Sequence, residues 1–156
     1  MNTAILESAQ TYEQERGKPM PSRNHAAAQT NLVAEFIKQR EYRIFSELSL
    51  QLNGRPLTPD LPVYPRRPVD FRYDEVHLIE PPVLVVEILS PIQGMLAVMA
   101  KVEAYLQSGV KSCWVVNPPQ RVISIYTPDG ATKTYAEGVA KDPATGLTAD
   151  LNAVFS

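Results

Sequence analysis

The stretch Val83-Leu84-Val85-Val86-Glu87-Ile88-Leu89 constrains this chain more than any other, because six of its seven residues are apolar and most are β-branched. Such a run reads as a strand covered on both faces. Pro91 to about Ser108 then reads as a helix, with Gly109 in the left-handed position that ends it. Cys113 to Val116 is a second strand. A strand–helix–strand order of this kind predicts a crossover whose two strands are parallel neighbours. The expected architecture is α/β, a mixed central sheet flanked by helices.

The remaining chain fits around that unit. Residues 1–24 are polar and broken by Gly17, Pro19 and Pro21, which suggests an N-terminal arm and lead-in loop with one short helix near Ile5. Residues 25–156 then form a single domain, a size that supports a core. From Ala26 to Arg40 the apolar positions Leu32, Val33, Phe36 and Ile37 make a helical stripe, which Ser22 or Asn24 would cap. Tyr42 to Leu52 alternates as a half-buried strand and ends in a turn at Asn53-Gly54. Residues 55–82 hold seven of the chain's 14 prolines, so no helix fits there and strands must be short or at an edge. Arg121 to Tyr126 is a further strand, and Thr148, Leu151, Val154 and Phe155 fit a short terminal helix.

Composition limits the function. With 44% hydrophobic and 21% charged residues the chain is an ordinary globular one. No apolar run reaches the roughly 20 residues of a membrane span. The start lacks the basic and apolar regions of a signal peptide, so a cytoplasmic protein without membrane contact is expected. One cysteine, Cys113, and two histidines, His25 and His77, leave no room for a disulfide or a cysteine-rich zinc site. Net charge is −2. Nucleic-acid binding would therefore rest on local basic patches such as Arg66-Arg67.

Glu87 is the residue that an apolar strand does not explain. A carboxylate buried there costs several kcal/mol unless it is paired, hydrogen-bonded or bound to a metal. A salt-bridged structural acid is one answer. The other is suggested by Asp60, which follows Pro59 in a segment expected to form the neighbouring strand. Two carboxylates on adjacent strands make a hard-oxygen site for Mg²⁺ or Mn²⁺. Lys101, on the following helix with small Ala97 and Ala104 beside it, has room to reach them.

Pro59-Asp60, Pro82 to Pro91 with Glu87-Ile88-Leu89-Ser90-Pro91, Lys101 to Tyr105, and Gly109 to Pro118 with Trp114 together resemble the Uma-two family of the PD-(D/E)XK nuclease superfamily. The resemblance covers roughly residues 20–155, His25 included. It implies a restriction-endonuclease-like core and an enzyme, a metal-dependent DNA endonuclease that hydrolyses phosphodiester bonds. Asp60 and Glu87 would hold Mg²⁺ or Mn²⁺, with the Ile88 carbonyl as a further ligand. The motif's lysine position is Leu89 here, so Lys101 would substitute for it, orienting or deprotonating the attacking water. Glu47 and His25 are possible additional site residues, and Arg66 and Arg67 possible DNA contacts. Relatives carry Ser-Thr and an Asp where this chain has Ile92-Gln93 and Ala97. The alternative is accordingly a catalytically silent nuclease fold acting as a binding or regulatory module. The negative charge of a single copy also suggests a homodimer that joins two basic segments into one channel for DNA.

Overall fold

Residues 20–156 are described by the structure, a computed structural model. The expected helix near Ile5 and most of the 1–24 arm lie outside these residues. Helix α1 (Arg23–Phe36) starts where the Ser22 hydroxyl accepts the His25 backbone N–H at 3.2 Å, the N-cap expected from the sequence. It begins three residues before the expected Ala26 and stops before Arg40. Its buried stripe is His25, Ala28, Leu32 and Phe36, and Ile37 lies past the helix end and is exposed.

The strand expected over Tyr42–Leu52 is two strands in different sheets. β1 (Tyr42–Ile44) belongs to the central sheet, and β2 (Ser49–Leu52) pairs with β3 (Arg55–Leu57) across the Asn53-Gly54 turn. Between them Glu47 adopts φ +61°, which swings the chain out of the first sheet. Alternation alone could not reveal the break, because both halves keep the same parity.

β4 (Leu61–Pro65) is short, as its prolines require, yet it lies inside the sheet between β1 and β6 (Leu84–Ile88). Pro62 joins the ladder as an acceptor, taking the Phe45 N–H at 3.0 Å. β5 (His77–Leu78) runs parallel to β2. After β6 come a turn over residues 91–94, helix α2 (Met95–Gln107), β7 (Ser112–Asn117) and β8 (Val122–Tyr126). α2 begins four residues later than expected and has no side-chain cap at Gly94. β6 and β7 are parallel, in register from Leu84 opposite Ser112 to Ile88 opposite Val116. β9 (Thr132–Tyr135) completes the six-stranded order β1-β4-β6-β7-β8-β9, and β10 (Val139–Lys141) pairs with β11 (Thr148–Asp150) before the short helix α3 (Leu151–Val154).

Strand alternation splits the core into two layers. Leu84, Val86 and Ile88 of β6 pack with Ala28, Leu32 and Phe36 of α1, where the Trp114 ring meets Phe36 edge-on at 5.1 Å. Val85 points the other way, to Val98, Val102 and Tyr105 of α2 and to Leu50, Leu52 and Leu57 of the β2–β3 hairpin. The central strand is thus covered on both faces, as its apolar run predicts. Among the described residues no helix is long and apolar enough to cross a membrane.

Candidate active site

Glu87 has the parity of Val85, so its side chain faces α2. There the Tyr105 hydroxyl donates to Glu87 Oε1 at 2.7 Å, and the carboxylate is 2% exposed. Asp60 lies one residue before β4. The last pair of the β4–β6 ladder is Leu61 opposite Val86, and Asp60 lies just beyond it. The Asp60 backbone N–H donates to the Val86 carbonyl at 3.1 Å, offset by one residue from that register, which draws Asp60 against the end of β6.

The Asp60 side chain then takes over the role of backbone. Its Oδ2 accepts the Ile88 N–H at 2.7 Å and faces His25 Nε2 at 3.1 Å. Asp60 is wholly buried and His25 only 3% exposed. His25 comes from α1, on the layer opposite Tyr105, so the acid pair sits at the seam between the two helical layers. Gln29 Nε2 and the Glu47 backbone N–H both donate to the Asp60 carbonyl, at 3.1 and 3.0 Å. Glu47, in its left-handed conformation, is therefore fastened beside Asp60 from the loop between β1 and β2, and is not on a strand as expected. Strained non-glycine backbone of this sort gathers at functional sites.

The electrostatics agree with two nearby carboxylates. Burial, then the negative charge and hydrogen bond of Glu87, and more weakly the charge of Asp60, hold the Tyr105 phenol well above its usual range. Burial and the charge of Glu87 do the same for the Cys113 thiol. Cys113 is a buried neutral group and no nucleophile.

Lys101 is half-buried on α2, one turn before Tyr105. Residues four apart share a helix face. Since Tyr105 reaches Glu87, Lys101 lies on the face that α2 turns toward the acids. Arg66 and Arg67 are not brought to them. They follow the far end of β4, and six or seven residues of strand put them roughly 20 Å from Asp60. Arg67 is paired there with Glu80 at 2.6 Å. Sequence reasoning did not count Tyr105 or Gln29 as site residues. The four-residue spacing from Lys101 was the signal for Tyr105; Gln29, at one turn from His25, carried none.

A mixed sheet with parallel β6 and β7, helices on both faces and paired acids where β4 meets β6 is a restriction-endonuclease-like core. The sequence model of the Uma2 family, described as "Putative restriction endonuclease", matches residues 12–152, and the chain belongs to this family. It is similar to a crystal structure described as that of "a putative nuclease" from Anabaena variabilis, with a TM-score of 0.72 and 26% identity over 88% of this chain and 83% of that one. No curated protein matches the chain.

Proposed function

We propose that this protein is a Mg²⁺- or Mn²⁺-dependent nuclease that hydrolyses phosphodiester bonds in DNA. The observation that carries the proposal is that two carboxylates, Asp60 and Glu87, are both buried and hydrogen-bonded where the β4–β6 ladder ends. The donors fit the ion. Carboxylate and carbonyl oxygens are hard ligands, and Mg²⁺ keeps several waters and needs only one or two carboxylates. Among the described residues no group of three or more His, Cys, Asp and Glu forms a metal cluster, so the proposed site rests on two carboxylates and a backbone carbonyl.

On this reading Asp60, Glu87 and the Ile88 carbonyl hold the cation, which when bound supplies Lewis-acid polarisation of the scissile phosphate. The chain's own residues do the rest. Lys101 orients the attacking water and counters the negative charge that grows on the phosphoryl oxygens. Glu47 is an additional acid at the edge of the site. Arg66 and Arg67 touch the DNA backbone on the flank, away from the bond being cut, where a contact positions without specifying. Two copies joined as a homodimer would combine these basic segments in a chain whose net charge is −2.

One observation favours the alternative, a silent binding or regulatory module. The turn and helix start that follow Glu87 expose Ile92 and Leu96, at 80% and 89%, where a phosphate-facing surface would be polar. A calorimetric titration with Mn²⁺ separates the two. The nuclease reading expects binding to the wild type and its loss in Glu87→Gln; a wild type that takes up no divalent ion sinks it.

A further inference from the structure

We infer that His25 and Tyr105 are positioning residues which fix, from opposite helical layers, the orientation of the two carboxylates toward a divalent cation. The inference rests on the metal reading above and deepens it. A carboxylate rotates about its last bond unless one oxygen is locked. At Asp60, Oδ2 accepts the Ile88 N–H at 2.7 Å and lies 3.1 Å from His25 Nε2, so contacts from two different elements converge on it. Two contacts on one oxygen fix the carboxylate plane and so set where Oδ1 points. At Glu87, the Tyr105 hydroxyl locks Oε1 at 2.7 Å and sets the direction of Oε2 in the same way.

Stability alone does not account for either residue. The His25 ring is buried in the apolar layer of Ala28 and Leu32, yet its Nδ1 has no hydrogen-bond partner among the described residues. A buried polar atom left unsatisfied is a cost that leucine or methionine at this place would avoid. The gain that offsets it is the contact of Nε2 with Asp60. The helix start is built to hold that contact, because Ser22 caps α1 through the backbone N–H of His25 itself. Tyr105 tells the same story from α2. It packs among Val98, Val102 and Cys113, where phenylalanine would fill the space, and its hydroxyl is spent on Glu87. Tyr105 also fixes the rotation of α2, and with it the face on which Lys101 sits.

Partners that orient a metal ligand change metal affinity by about 10- to 100-fold when removed. The test is a Mn²⁺ titration of the full chain by calorimetry, with a thermal melt of each variant. Tyr105→Phe and His25→Leu should weaken Mn²⁺ by about that factor; each leaves a buried carboxylate short of a partner, so the melting temperature should fall while the chain stays folded at the titration temperature. His25→Gln keeps an N–H donor at similar reach and should recover most of the lost affinity; it also serves if His25→Leu does not fold. Wild-type affinity in Tyr105→Phe and His25→Leu overturns the inference and leaves the metal site standing. Affinity that falls only in step with melting temperature, without recovery in His25→Gln, makes both residues merely structural and overturns it too. A wild type that binds no Mn²⁺ removes the metal reading and this inference together.

Discussion

Among the described residues three acids are buried, and their partners distinguish them. Asp142 accepts the Trp114 indole N–H at 2.9 Å through Oδ1, and through Oδ2 the N–H groups of Ala144 and Thr145 and the Thr145 hydroxyl. It is a loop organiser satisfied by its own neighbourhood. Asp60 and Glu87 instead gather partners from two helices where the β4–β6 ladder ends. Glu87 was legible in the sequence because a carboxylate inside an apolar strand has no packing reason; Asp142 was not, since nothing local marks an acid that a distant tryptophan will cover. On the proposed chemistry Lys101→Met, which keeps length and removes charge, should lower DNA hydrolysis by at least about 100-fold with little change in folding. Equal cleavage by wild type and variant would show the lysine to be a bystander.

Two buried phenols give a pH prediction. Burial, with the negative charge of Glu80 added, pushes Tyr64 up to about 12, and burial and Glu87 hold Tyr105 well above its usual range. An unfolded tyrosine titrates near 10. The folded state therefore favours the neutral phenols: that stabilisation is complete below pH 10 and is lost as pH rises through 10 toward 12. Absorbance at the phenolate band should show Tyr64 and Tyr105 ionising after the exposed tyrosines and together with loss of the circular dichroism signal. Ionisation of all tyrosines in one step near pH 10, with the fold intact, would contradict this.

Among the elements, β6, α2 and β7 were the most legible, because an apolar run, a helical stretch and a terminating glycine agree with one another. Gly109 adopts φ +103°, and a Cβ there would meet Pro81 Cγ at 3.4 Å. Gly109→Ala should cost about 1 kcal/mol or more, read as a melting temperature lower by several degrees; an unchanged melt would show that the α2–β7 turn relaxes freely. The less legible elements share a physical cause. β9 is Thr-Lys-Thr-Tyr with its first three residues exposed, so it has no apolar alternation to detect. β10 and β11 have three residues each, and the tail read as helix alone divides into β11 and α3. Arg66-Arg67 sits close to Asp60 in sequence, but an extended strand carries the chain away at about 3.3 Å per residue.

For the molecule as a whole, charge is the chief constraint. A chain of net charge −2 gives one copy little general attraction for a polyanion. The homodimer proposed here joins two sets of basic residues, and light scattering after size exclusion should give a mass near twice the 17.3 kDa of one chain. A strict monomer at high concentration would remove the dimer while leaving the site as described.

The central claim is that Asp60 and Glu87 cut DNA with a divalent ion. Supercoiled plasmid incubated with the purified protein tests it most directly, in Mg²⁺ or Mn²⁺ and in excess chelator, alongside folded Asp60→Asn and Glu87→Gln. The account predicts nicked and linear plasmid with the wild type and metal, and intact plasmid with chelator or with either variant. Cleavage that persists in both variants, or a folded, metal-loaded wild type that leaves every plasmid and linear DNA intact, would contradict it.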